Sequence, residues 1–159
     1  MKIPLRVTVN GVPREDLVEA RTSLLTYLRE QCDLTGTKRA CEEGECGCCS
    51  VLLDGTQVTS CLVFAIEAQG KDVVTVEGLS EPLVLGSLQE AFAENGASQC
   101  GFCIPGMLMS ATSLLERNGN PSEAEIRRAI SGNLCRCTGY DRIVAAIAQA
   151  AERRRGAKG

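Results

Sequence analysis

Ten cysteines and no histidine stand in a chain of 159 residues, and no other feature limits its folds and chemistries as strongly. Without imidazole there is no histidine general base, no Ser/His or Cys/His nucleophile pair and no His-ligated metal. The chain opens Met1-Lys2-Ile3-Pro4, lacking both the apolar core of a signal peptide and a twin-arginine pair, so a cytoplasmic location is expected. Thiols stay reduced there, which makes metal binding a better explanation of ten cysteines than a disulfide scaffold. Otherwise the composition is that of a globular protein, with 44% hydrophobic and 23% charged residues. A net charge of −3 and 3% aromatics without Trp argue against a nucleic-acid partner. No apolar run approaches the roughly 18–20 residues that cross a bilayer.

Apolar residues alternate along the first half and recur at helical spacing along the second. Leu5, Val7 and Val9 alternate with Arg6 and Thr8, and Asn10-Gly11 supplies a tight hairpin turn. A return strand is expected over Leu17-Val18-Glu19-Ala20. Thr22 or Ser23 can cap a helix whose apolar face is Leu24, Leu25 and Leu28. Asp54-Gly55 signals a second hairpin between Val51-Leu52-Leu53 and Gln57-Val58-Thr59, and Val73-Val74-Thr75-Val76 reads as a further strand. Residues 61–69 suit either helix or extended turn. Four short helices follow. Ser87-x-x-Glu90 is a capping box, Pro105 suits a first helical turn, and Ser122-x-x-Glu125 opens a third helix. The fourth starts near Asp141 and runs through Ile143, Ile147 and Ala151 to an exposed Arg153-Arg154-Arg155 tail. Gly78, Pro82 and Gly86 punctuate the chain between the halves. The expectation is an α+β chain with two domains, 1–78 and 79–159, the second an all-α four-helix bundle.

Each half carries its own cysteine group. Cys41, Cys46 and Cys49 are spaced C-x4-C-x2-C and Cys61 follows, the spacing of plant-type [2Fe–2S] sites. Gly36, Gly44 and Gly47 allow a loop to curl tightly and point N–H groups at anionic sulfur. Cys48 competes with Cys49 for the iron. Cys49 completes the C-x2-C step, and adjacent residues of an extended segment point to opposite sides, so Cys49 is the preferred ligand. Cys32 has no partner at ligand spacing and reads as a half-buried free thiol. The second group, Cys100-x2-Cys103 and Cys135-x-Cys137, suits a cluster or a structural zinc equally well by spacing alone. Its two knuckles fall at helix boundaries, with Gly101, Gly132 and Gly139 for sharp turns, and helix N-termini stabilise thiolates.

Three segments carry a resemblance over nearly the whole chain: "LTGTKRACEEGECGCCSVLLDG" at 34–55, "QCGFCIPGMLM" at 99–109 and "GNLCRCTGYDRIVAAI" at 132–147. In these the chain resembles the small iron–sulfur subunits of the xanthine dehydrogenase, aldehyde oxidoreductase and carbon monoxide dehydrogenase family of molybdenum hydroxylases. The resemblance implies a plant-ferredoxin-like (β-grasp) first domain with an outer [2Fe–2S] cluster on Cys41, Cys46, Cys49 and Cys61. It implies an inner [2Fe–2S] cluster on Cys100, Cys103, Cys135 and Cys137 in the helical domain, iron rather than zinc. Gln99 and the region of Cys137 match positions that touch the molybdopterin cofactor of a large partner subunit. Cys48 departs from the family, which commonly has Ala or Ser there, and Cys32 is also unusual.

The implied function is electron relay between that molybdopterin site and a flavin (FAD) subunit or another acceptor. The complex would be a heterotrimer, dimerised as a family expectation, and this chain would hold no substrate-converting site. It contains no Walker A loop and no Rossmann fingerprint, so flavin and nucleotide belong to partners. Two other classes stand beside this one: a free-standing ferredoxin-like carrier, and a structural-zinc or thiol-sensing protein using Cys32 and Cys48.

Overall fold

A computed structural model describes residues 2–81 and 84–157. Strand β1 (Lys2–Val9) buries Leu5, Val7 and Val9 on one face, as their alternation predicts. Asn10 and Gly11 both adopt positive φ, the two-residue turn whose twist suits a hairpin, and Val9 pairs with Val12 across it. Strand β2 therefore starts at once and spans Val12–Glu19, longer and earlier than the expected return strand. It is an edge strand, so Arg14, Glu15 and Asp16 on it need no apolar partner. Strands β3 (Ser50–Leu53) and β4 (Thr56–Thr59) close over Asp54-Gly55 in the same way.

Strand β5 (Asp72–Val74) completes a five-stranded sheet of order β2-β1-β5-β3-β4, with β1 and β5 parallel and the other pairs antiparallel. It ends before Thr75 and Val76 because Asn10 claims the next backbone group. Thr75 N–H donates to Asn10 Oδ1 at 2.8 Å and Asn10 Nδ2 donates to Thr75 Oγ1 at 2.9 Å. The ambiguous 61–69 stretch holds a short 3₁₀ turn, Ala65–Ala68. Helix α1 (Leu24–Glu30) is capped by Ser23, whose Oγ accepts from Thr26 N–H. Its Leu24, Tyr27 and Leu28 pack with Leu5, Val7, Val18, Val51 and Val73 in one apolar core.

A second core lies among helices α2 (Ser87–Glu94), α3 (Ile104–Arg117), α4 (Glu123–Ala129) and α5 (Asp141–Gly156). Phe92, Met107, Leu115, Ile126, Ile143 and Ile147 fill it. Pro105 sits in the first turn of α3, and Ser122 and Glu125 form their reciprocal box on α4. Two expectations need correction. Gly86, not a residue within Ser87-x-x-Glu90, is the cap of α2, and its N–H donates to Gln89 Oε1 at 2.7 Å. Arg153, Arg154 and Arg155 are the last turn of α5 rather than a tail: cations favour a helix C-terminus, and Arg153 also pairs with Glu94 of α2. Among the described residues no helix is long and apolar enough to cross a membrane.

Candidate metal centres

The outer thiol group is built by a loop and a hairpin. Between α1 and β3, Glu42, Gly44 and Gly47 take positive φ, so the chain coils back on itself around Cys41. Glu43 N–H and Cys46 N–H each donate to Cys41 Sγ at 3.4 Å. These backbone donors hold the Cys41 thiol down to about 7 against a smaller opposing effect of burial. Cys61 arrives from the far end of β4. Ser60 N–H and Ser60 Oγ both donate to the Cys49 carbonyl, at 3.2 and 2.7 Å, which brings the Cys61 thiol near that of Cys49. Burial first, and then Cys49, push Cys61 up to about 11. Cys48 lies at the seam: its buried thiol packs in the helical core and reaches the Cys46 carbonyl at 3.9 Å, and burial first, then Cys46, push it up to about 12.

The inner group joins two helix boundaries. Cys103 is the N-cap residue of α3 and is buried, while Cys100 before it is exposed. Across from them run Cys135 and Cys137. Cys137 Sγ stands 3.5 Å from Cys100 Sγ, and the thiols of Cys103 and Cys135 lie near enough to perturb each other. Burial, then Cys135, push Cys103 up to about 12. Burial also acts upward on Cys135, yet the Thr138 hydroxyl and the N–H groups of Thr138 and Cys137 outweigh it and hold this thiol below its ordinary value. Gly101 and Gly139 take positive φ as expected, but Gly132 does not. Tyr140, which the sequence reading passed over, holds the loop: its Oη accepts from Cys135 N–H at 2.8 Å. Tyr140 itself has φ 71°, a left-handed conformation that carries a strain of about 1–2 kcal/mol.

All eight expected thiols are thus gathered into two sets, and Gln99 lies exposed beside Cys100. Within each set the sulfurs approach in twos: Cys41 with Cys46, Cys49 with Cys61, Cys100 with Cys137, Cys103 with Cys135. Among the described residues no three metal-ligating side chains crowd around one point. Two thiolates for each of two irons is the donor set of a [2Fe–2S] cluster, and the N–H groups aimed at Cys41 suit its anionic sulfur. Cys32 lies apart, half-buried beside Tyr27 and Arg14. Asn133, Ser110 and Gln57 also escaped sequence reasoning, since nothing in their local pattern marks them.

Residues 7–78 match the model of a 2Fe-2S iron-sulfur cluster binding domain and residues 75–148 that of a [2Fe-2S] binding domain. The chain is 50% identical over 149 residues to the nicotine 6-hydroxylase small subunit of Paenarthrobacter nicotinovorans, covering 94% of this chain and 90% of that one. It belongs to the small iron–sulfur subunits of the molybdenum hydroxylase family. Its fold is shared with a chain of quinoline 2-oxidoreductase from Pseudomonas putida 86, at 49% identity, a TM-score of 0.93 and 98% coverage of both. The aldehyde oxidoreductase of Desulfovibrio gigas contains the same arrangement within a longer chain: 41% identity and a TM-score of 0.93, over 98% of this chain and 17% of that one. Both halves of this iron–sulfur subunit match [2Fe–2S]-binding domains, which favours iron over zinc for the second half.

Proposed function

We propose that this chain is the electron relay of a multi-subunit molybdenum hydroxylase. Cys41, Cys46, Cys49 and Cys61 hold the outer cluster, and Cys100, Cys103, Cys135 and Cys137 the inner one. When bound, each cluster supplies a one-electron carrier. The first half is read as a β-grasp, plant-ferredoxin-like domain over 1–78 and the second as a four-helix bundle over 79–159.

The observation that carries this reading is the asymmetry of the inner thiols. Cys103 is buried and Cys135 half-buried, whereas Cys100 and Cys137 are exposed alongside Gln99. Phe102 and Leu134, next to these ligands in sequence, are large apolar side chains turned to the surface. A cluster edge left open amid apolar surface suits a partner that covers it and excludes water. The partner is the large subunit, with Gln99 and Cys137 against its molybdopterin cofactor. Through this chain electrons would pass between it and the FAD of a medium subunit or another acceptor, within a cytoplasmic heterotrimer that can pair into a dimer. This chain makes and breaks no substrate bond; its residues hold sulfur, donate N–H groups to it and keep water away. A stand-alone carrier would need neither the second domain nor this open edge, and the relative named above is itself a subunit.

Low-temperature EPR of the dithionite-reduced native complex, with iron and molybdenum quantified on the same sample, tests the proposal. Two distinct [2Fe–2S] signals, about four irons in this chain and molybdenum in a co-purifying large subunit are expected. One signal with zinc in the second site would sink it.

A further inference from the structure

The two ligand sets are joined by a backbone contact. Leu134 N–H donates to the Cys46 carbonyl at 2.9 Å, and Leu134 is covalently bonded to Cys135. From the sulfur of an inner ligand to the sulfur of an outer one, the path is a run of covalent bonds crossed by a single hydrogen bond. Electronic coupling falls more steeply across an empty gap than along bonds, so the length of that contact matters to a relay.

Asn133 stands beside the contact and is buried, at 1% exposure. Its Nδ2 donates to the Gly47 carbonyl at 3.0 Å, next in sequence to Cys46. Its Oδ1 accepts from Ser110 Oγ of α3, and Ser110 in turn accepts from Gln57 Nε2 of β4 at 2.7 Å. Ser50 Oγ of β3 also donates to the Gly47 carbonyl at 2.8 Å. Thus the outer loop, the sheet, α3 and the inner ligand segment share one polar network inside an otherwise apolar seam. Two glycines let the backbones meet there. A Cβ on Gly47 would lie 2.3 Å from the Gly132 carbonyl oxygen, and one on Gly106 would lie 2.3 Å from the Gly47 carbonyl oxygen. Apolar faces tolerate sliding by fractions of an ångström, whereas buried polar groups are stable only when each partner is met.

Resting on the relay reading, we propose that Asn133 is the positioning residue of the inter-cluster step: it fixes the Leu134 N–H to Cys46 carbonyl contact that bridges the two ligand sets. In that step one electron is lost at the Cys135 end and gained at the Cys46 end; no proton moves and no bond is made or broken.

The test compares the wild-type complex with Asn133→Ala and Ser110→Ala. In the fully reduced wild type, two signals with a mutual magnetic interaction, read as line splitting or faster relaxation, are required. Fewer than two signals would bring down the relay reading itself, before any variant is considered. Asn133→Ala is expected to keep its iron and both signals while the splitting changes and electron redistribution after partial reduction slows. Ser110→Ala should move both in the same direction by less. Unchanged splitting and rate in an iron-replete Asn133→Ala complex would overturn the proposal. Loss of the clusters in both the Asn133 and Ser110 variants would overturn it too, because the network would then hold the fold and not the spacing.

Discussion

Cys48 and Cys49 are neighbours in sequence and live in different environments. The Cys48 thiol is enclosed in the helical core and held protonated by burial, while Cys49 faces Cys61 across a carbonyl pinned by Ser60. Cys48→Ala should therefore leave the iron content and both EPR signals intact. Its cost is about 1 kcal/mol from the small void, read as a slightly lower melting temperature. Cys49→Ala should abolish the outer signal alone. Tyr140 acts at the same scale on the other set. Tyr140→Phe removes the acceptor of Cys135 N–H and should cost about 1 kcal/mol. It should also shift the midpoint potential of the inner cluster, leaving the outer unmoved, in an EPR-monitored redox titration.

At the scale of elements, local signals and long-range contacts divide the work. Helix α4 has seven residues, too few to persist without its caps and its packing. Ser122→Ala breaks its capping box and should lower stability by about 1 kcal/mol in thermal unfolding, with no change in either cluster signal. Helix α3 is held differently, by Gly106 lying flat against the outer loop. Gly106→Ala drives a Cβ into the Gly47 carbonyl, a backbone group that cannot swing aside. That variant is expected to separate the helix from the loop, destabilise the protein by more than ~2 kcal/mol and lose cluster content, seen as bleaching of the visible absorption.

For the molecule as a whole, pH acts through a half-buried carboxylate on the edge strand of the sheet. Tyr27 Oη donates to Asp16 Oδ2 at 2.6 Å, and Arg14 Nε donates to the same oxygen at 3.2 Å. The Tyr27 hydrogen bond is the main reason that Asp16 lies below the usual carboxylate range, with Arg14 adding to it and burial opposing. A lowered carboxylate pKa stabilises the fold above its unfolded value of about 4, and that contribution is lost as pH falls through the folded value. Stability of the first domain should hold from neutral pH to about 5 and drop below about 4, with a shallower drop in Asp16→Asn, by circular dichroism. Tyr27 has the opposite sign. Burial, then Asp16, raise it above the ordinary tyrosine range, so its contribution is complete below about pH 10 and lost at more alkaline pH.

The sequence by itself determined what a few consecutive residues can encode. Asn10-Gly11 and Asp54-Gly55 made their turns because the φ angles they need are a property of those residues alone. Ser122 found Glu125 three positions away, and the spacing Cys41-x4-Cys46-x2-Cys49 curled around its glycines. Tertiary structure decided what depends on distant chain meeting. Gly86 displaced Ser87 as a cap, and Arg153 stayed helical against Glu94. Cys100 came to Cys137 over 37 positions, and Asn133 reached Gly47 over 86. No local pattern announces such pairs. A buried amide or thiol takes its partner from whichever backbone the packing of the two cores brings within reach, and that packing is set by the whole chain.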